Sequence, residues 1–288
     1  MKLYDFLIQE WLVGMEPFVQ QLPETLSLLP VSLKDRRIIA GMSSRLGGVS
    51  EAPFASLNLG FHVKDRIEAV KENRRRLGET LGIDPSRWVC AEQVHGTELA
   101  RITGKDAGRG ALEPSDALSG IDGFYTSEPD LLLVTGHADC VPLYFYSKTA
   151  PAVGLAHAGW RGTVGEIGAR MVERLEEDFG IKPNELSVII GPSIGVCCYE
   201  VDDQVADHVG AISNIAYDKV MVKKENGRYM LNLQELNAQI LEKQGVPRDR
   251  IAITTLCTSC RTDLFYSHRK EQGRTGRMLS YIGMVSGD

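Results

Sequence analysis

Apolar positions along this chain follow two rhythms. Short runs rich in leucine, β-branched and aromatic residues occur at 37–42, 88–91, 98–102, 131–135, 141–146, 152–157, 186–190, 251–256 and 278–284, and they read as strands. Longer segments at 66–81, 164–179, 201–209 and 233–243 space their apolar residues as helices do. Glycine-rich or polar loops at 43–60 and 104–120 join them. Strands stand next to strands as often as next to helices, so the pattern predicts an α+β (mixed α/β) protein rather than a doubly wound parallel sheet. No repeat, low-complexity tract or linker divides the chain. It reads as one domain over 1–288, with 1–36 as an N-terminal extension packed on it. In the helix at 66–81, Arg74, Arg75 and Arg76 stand among Glu68, Glu72 and Glu79 and read as a solvated face.

The chemistry concentrates in V-T-G-H-A-D-C-V-P-L-Y-F-Y, then S-K-T-A-P, then A-V-G-L-A-H-A-G-W-R-G. Two apolar runs around a short polar turn predict a hairpin. With the turn centred between Lys148 and Thr149, Cys140 and His157 face each other at its open end, close enough for a thiolate and an imidazole to share one ion. His95, in Q-V-H-G, is the candidate third ligand, and a Cys, His, His set leaves the fourth tetrahedral position open. His137, three residues before Cys140, competes for a place. The bland alternative for each residue alone is a small buried thiol or a hydrogen-bonded histidine. Cys257 and Cys260 form a single C-x-x-C without a second pair, and the side chains of adjacent Cys197 and Cys198 diverge in extended chain, so these four read as structural or without an assignable role.

Composition narrows the class. The 288 residues are 43% hydrophobic and 24% charged, which excludes disordered and fibrous proteins. A net charge of -6, from 38 acids against 32 bases, argues against a nucleic-acid binder and for a small substrate or a protein partner. Asp5, Glu10 and Glu16 break the first twenty residues, and no apolar run has signal-peptide or membrane-spanning length. A cytosolic chain is expected, binding no membrane, as monomer or homodimer. Its six cysteines are then thiols, ligands or nucleophiles rather than bridges.

Seven motifs in order, S-R-L-G-G-V-S at Arg45, S-L-N-L-G-F-H-V at Asn58, Q-V-H-G, A-D-C-V-P, H-A-G-W-R-G, G-P-S-I-G-V-C-C-Y-E-V and F-Y-S-H-R-K followed by T-G-R-M, resemble the laccase-domain family. That family is also called purine nucleoside phosphorylase YfiH/YlmD-like and was formerly labelled multicopper polyphenol oxidase. The resemblance spans about 41–284. It implies a single domain of mixed β-sheets flanked by helices, similar to the cytotoxic necrotizing factor/YfiH-like fold. It also implies one zinc per chain, held by His95, Cys140 and His157.

The implied activity is phosphorolysis of adenosine, inosine and 5'-methylthioadenosine to free base and ribose 1-phosphate, with adenosine deamination beside it. Phosphate needs cationic donors, for which Arg45, Arg161, His268 and Arg269 are candidates. Asn58 and His62 are candidate nucleoside contacts, and Asp139 is a candidate acid, base or ligand-orienting group. Two alternatives stand beside this: a Cys/His hydrolase in peptidoglycan precursor editing, and a single-copper polyphenol oxidase. A multicopper enzyme needs H-x-H pairs for its several ions, and six histidines with no such pair exclude it, leaving copper less favoured than zinc.

Overall fold

The structure, a computed structural model, describes residues 16–28, 31–33 and 36–286. Its strands are β1 (Phe18–Leu22), β2 (Thr25–Leu28), β3 (Val31–Leu33), β4 (Arg36–Ser43), β5 (Trp88–Val89), β6 (Ala91–Glu92), β7 (Leu99–Arg101), β8 (Leu118–Ser119), β9 (Gly123–Thr126), β10 (Leu131–His137), β11 (Val141–Ser147), β12 (Val153–Ala158), β13 (Leu186–Ile190), β14 (Glu200–Val201), β15 (Met221–Lys223), β16 (Tyr229–Leu231), β17 (Ile251–Ile253) and β18 (Met278–Ser286). The helices among the described residues are α1 (Ile67–Leu81), α2 (Trp160–Val164), α3 (Ile167–Phe179), α4 (Asp203–Gly210), α5 (Tyr217–Val220) and α6 (Leu233–Lys243).

Two sheets carry the fold. The first runs β1-β2-β4-β18-β10-β5, with β3 also on β4, and the second runs β17-β13-β11-β12-β9-β7. Both are mixed, as expected: β10 pairs β5, β13 pairs β17 and β7 pairs β9 in parallel, and the other neighbours are antiparallel. The period of two explains the layering. Leu131 and Leu133 of β10 point into a core shared with Tyr144, Tyr146, Val153 and Leu155 of the second sheet. Leu132 and Val134 point the other way, onto Leu77 of α1 and the loop residues Leu57 and Leu59. On the far face of the second sheet, Leu143, Phe145, Val188 and Ile190 pack under α3 and α6. Two sheets face each other and helices cover both outer faces, so the central strands are apolar on both sides.

Several elements differ from the sequence expectation for local reasons. The single helix at 164–179 is two, α2 and α3, because Gly165 and the left-handed Glu166 (φ 59°) break it. The run at 88–91 divides into β5 and β6, which join different sheets. The run at 251–256 ends at Ile253. β1 and β2 were not evident in the sequence, yet Phe18 and Leu26 are buried in the inter-sheet core and Glu16 accepts hydrogen bonds from Thr254 and Thr255. Residues 1–15, 29–30 and 34–35 of the expected extension lie outside the described residues.

The arginine triplet also divides. Arg75 and Arg76 pair with Glu72 at the surface. Arg74 is a correction to the solvated-face reading: it is 5% exposed. Its Nε donates to the Leu59 carbonyl (2.9 Å), and its Nη1 donates to those of Gly110 (2.7 Å) and Ala111 (2.8 Å). Three buried carbonyls therefore depend on one guanidinium, which lies over the Phe61 ring at 4.3 Å. Arg74→Met should lower stability by roughly 3 kcal/mol or more, since each stranded buried acceptor costs on the order of 1–3 kcal/mol. Arg76→Ala should change it by less than about 0.5 kcal/mol. Urea midpoints of the two variants check the contrast, and equal midpoints would deny Arg74 this role.

Candidate metal centre

The chain passes from the first sheet to the second between His137 and Val141, through Ala138, Asp139 and Cys140. So tight a crossing takes a left-handed residue, here Asp139 at φ 83°. Its carboxylate is fixed from three sides. Thr258 Oγ1 donates to Oδ1 (2.6 Å), while Ser267 Oγ (3.0 Å) and the Arg269 amide (2.7 Å) donate to Oδ2. Cys140, next in the chain, is thereby held at the seam of the two sheets.

His157 lies in β12, but the hairpin register differs from the sequence expectation. Val141 pairs with Ala158 and Pro142 with His157, so the turn is centred between Thr149 and Ala150, and His157 faces Pro142 rather than Cys140. The Ser147 hydroxyl sets this centre by accepting the amides of Thr149 and Ala150. The two ligands still meet, because Cys140 has already left the ladder and turns back over it. The donor atoms of His95, Cys140 and His157 all lie within 4.8 Å of one another.

Asp122, absent from the sequence reading, unites two of these residues. It is fully buried, just before β9. Oδ1 accepts His157 Nδ1–H (2.9 Å) and the His95 amide (3.0 Å), and Oδ2 accepts the amides of Gly96 (2.7 Å) and Val94 (3.2 Å). One carboxylate thus orients the His157 ring, leaving Nε2 for a metal, and cradles the loop bearing His95, whose φ of 60° aims consecutive N–H groups inward. Burial pushes the Asp122 carboxyl up, but the His157 ring and the Gly96 and Val94 amides together hold it below its ordinary value. Two glycines make room. A Cβ at Gly159 would sit 3.1 Å from Cys140 Sγ and 3.2 Å from His95 Cδ2, and one at Gly96 would sit 3.4 Å from Asp122 Oδ2.

His137 is not among the ligand atoms that converge. Its Nδ1 lies 3.0 Å from the Cys140 carbonyl, which can only accept, so Nδ1 carries the proton and Nε2 accepts from Thr135 Oγ1 (2.8 Å). Both ring nitrogens are engaged and the residue buttresses Cys140 from behind. Burial, and then the charge of His157, keep it neutral, well below the ordinary histidine value.

The remaining sequence candidates divide into two groups. Arg45 spends its guanidinium on the carbonyls of Ala55, Thr262 and Phe265 and on Glu271 (3.1 Å). Asn58 is fully buried and braces Gly60, Asp65 and the Arg277 amide. Both therefore have their polar atoms engaged within the chain. His62, Arg161, His268 and Arg269 lie exposed around the centre. Partial burial, then Arg277 and Arg74, hold the His62 imidazole down at about 4, and the charges of His95 and His157 also reach it. Arg277 and Tyr199 join this ring and were not singled out from sequence. The charges of Cys140 and Asp139 both act on Arg277, and those of Cys140, Arg269 and Arg161 on Tyr199. Arg277 Nη1 donates to the carbonyls of Thr275 and Gly276, and among the described residues nothing accepts from its Nε or Nη2.

Two imidazoles and a thiol, one imidazole oriented by a buried carboxylate and the set joined by no fourth His, Cys, Asp or Glu among the described residues, define a mixed α/β protein with a three-donor group at a sheet seam that could hold a metal ion. The donor set fits a metal ion. The chain belongs to the family described as multi-copper polyphenol oxidoreductase laccase, whose model matches residues 39–285. It is 46% identical over 245 residues to the purine nucleoside phosphorylase YlmD of Geobacillus stearothermophilus, covering 85% of this chain and 89% of that one. It is 42% identical over 271 residues to the YlmD of Bacillus subtilis, covering 93% and 97%. The crystal structure of YlmD from Geobacillus stearothermophilus superimposes with a TM-score of 0.90 at 42% identity, over 94% of this chain and 100% of that one. No helix among the described residues is long and apolar enough to cross a membrane.

Burial pushes the Cys140 thiol up, but the charge and hydrogen bond of His157, then those of His95, outweigh it and bring it down to about 6. Burial lowers His157, and Cys140 and Asp122 outweigh that and raise it to about 9. Each partner thus favours the charged form of the other, and a metal binding His157 must displace any proton on Nε2. Alkylation of Cys140 by iodoacetamide in chelator-treated protein should rise through pH 6 and level off near neutrality, instead of climbing to about pH 8.5 like an ordinary cysteine. Added Zn2+ should suppress it. A profile unaffected by metal would remove Cys140 from the centre.

Proposed function

We propose that this chain is a zinc-dependent purine nucleoside phosphorylase of the cytosol. It takes adenosine, inosine or 5'-methylthioadenosine with phosphate to the free base and the pentose 1-phosphate, and it deaminates adenosine at the same centre. The observation that carries this reading is the juxtaposition of the open His95, Cys140, His157 set with a ring of under-used cations. Arg277, Arg161 and Arg269 surround it, and the names of the relatives agree with such a pocket. Six histidines with no H-x-H pair exclude a multicopper centre, and zinc is preferred for the single site because three protein donors with an open fourth position are the arrangement of catalytic zinc. A zinc ion bound here supplies Lewis acidity at neutral pH.

The chain's own residues do the rest. Arg277 is pre-positioned: its amide donates to Asn58 (2.9 Å), and a Cβ at Gly60 would come within 2.7 Å of its Cγ, so only glycine lets it lie there. Its free edge grips phosphate, with Arg161 and Arg269 on the other side, and a phosphate oxygen bonds to C1' as the bond to the purine nitrogen breaks. Neutral His62 accepts a hydrogen bond from a ribose hydroxyl, and Tyr199 offers a face to the base. Asp139, with both oxygens occupied, is a positioning group for Cys140.

Purified enzyme incubated with a nucleoside panel, with and without phosphate, tests this. Base release should require phosphate and yield ribose 1-phosphate, and free ribose at the same rate in phosphate-free buffer would refute it. Cys140→Ser should lose the ion of this centre together with activity. Arg277→Lys should keep the metal but raise KM for phosphate about 10- to 100-fold, the equivalent of one charge-assisted hydrogen bond of roughly 1.5–3 kcal/mol. Deamination, which uses water, should change much less.

A further inference from the structure

The four cysteines set aside in the sequence come together. Cys197 and Cys198 lie in the loop after β13, Cys257 and Cys260 in the loop after β17, and these neighbouring strands are parallel, so both loops leave the same end of the second sheet. A parallel bridge between Ser193 and Cys257, and the Thr258 amide on the Ser193 carbonyl (2.9 Å), lock the loops side by side. The adjacent pair does not diverge, because the chain there is not extended. The amides of Cys198 and Tyr199 both donate to the Gly195 carbonyl (3.0 Å each), and this turn brings both thiols to Cys260. Cys197 Sγ is 3.5 Å and Cys198 Sγ 3.4 Å from Cys260 Sγ. With Cys257, all four sulfurs lie within 4.8 Å of one another.

That spacing suits one small ion. Four sulfurs at about 2.3 Å from a tetrahedral zinc stand about 3.8 Å apart, within the range seen here. A polynuclear iron–sulfur core would hold them farther apart, and one disulfide would leave two thiols without a task. The backbone is arranged for sulfur as well. The Gly195 amide donates to Cys257 Sγ at 3.2 Å, and a Cβ at Gly195 would sit 3.3 Å from Cys197 Sγ. Four thiolates this close repel one another, so they coexist only around a cation.

We propose that Cys197, Cys198, Cys257 and Cys260 form a second metal site, a closed four-thiolate site for zinc. It clamps the two loops and braces the other centre. Thr258, between two of the cysteines, donates to Asp139 Oδ1, and the Ile194 amide donates to the Asp139 carbonyl (2.9 Å), so the turn presenting Cys140 leans on the clamp.

The test is metal counting with zinc as the probe, on full-length protein kept reduced. Wild type should bind two equivalents of Zn2+. Cys260→Ser and Cys140→Ser should each bind one. Cobalt loaded into Cys140→Ser should give the intense charge-transfer and visible bands of a four-thiolate tetrahedral ion, and these should vanish in Cys140→Ser/Cys260→Ser. Cys260 is exposed, so its replacement should fold, and Cys197→Ser provides the same comparison should it not. A single equivalent in wild type that Cys140→Ser loses, two retained in Cys260→Ser, or a Cys198–Cys260 disulfide in protein held under thiol reductant would each overturn the site.

Discussion

A single buried carboxylate organises the centre. Asp122 has no solvent to stabilise its charge, so it must be satisfied from within, and it takes four N–H donors from two separate segments. Three come from the consecutive amides of Val94, His95 and Gly96, which forces His95 into the left-handed region and turns its imidazole toward Cys140. The fourth is the ring N–H of His157, which fixes the tautomer that leaves Nε2 for the ion. The His157 amide also donates to the Asp122 carbonyl (2.7 Å), so strand and loop are joined twice. Two candidate ligands 62 residues apart in sequence are thus oriented by one side chain.

The third ligand depends on the layering instead. Cys140 occupies the crossing between two sheets that bury both their faces, and a crossing inside a packed core has few permitted paths. Asp139 supplies the left-handed turn, His137 supports the Cys140 carbonyl, and Thr258 and Ser267 anchor Asp139 from loops at the same end. The three donors therefore sit on a strand, on the turn between two strands and on a loop pinned by Asp122, so none of them is free to drift.

Much of this was legible in the sequence. The central strands are near-continuous apolar runs of the length a doubly covered sheet demands, and α6 fell at 233–243 as its spacing indicates. The convergence of His95, Cys140 and His157 could be expected because Cys and His in glycine-bounded motifs are unusual chemistry in apolar surroundings. What escaped was long-range. Asp122 has the composition of any acid before a strand, and nothing in I-D-G announces that its partners lie at 94–96 and 157. Arg74 looked like its solvated neighbours because only its position on the helix, not its type, sends it inward. The hairpin register slipped because Ser147 captures two amides and moves the turn by one residue. Cys197, Cys198, Cys257 and Cys260 looked unrelated because their proximity comes from the parallel pairing of β13 and β17. β1 and β2 are short and mix polar with apolar residues, and they join the sheet only through tertiary packing, β1 on β2 and β2 on β4.

The most direct test of the account is the zinc affinity of the His95, Cys140, His157 centre in Asp122→Asn, measured by chelator competition in a Cys260→Ser background so that one site is counted, with circular dichroism to verify the fold. The amide cannot accept all four N–H groups, so affinity should fall about 10- to 100-fold, as expected when the partner of a ligating histidine is lost. The amides of 94–96 should also exchange with solvent faster. A folded variant with unchanged zinc affinity would contradict the claim that this carboxylate organises the centre.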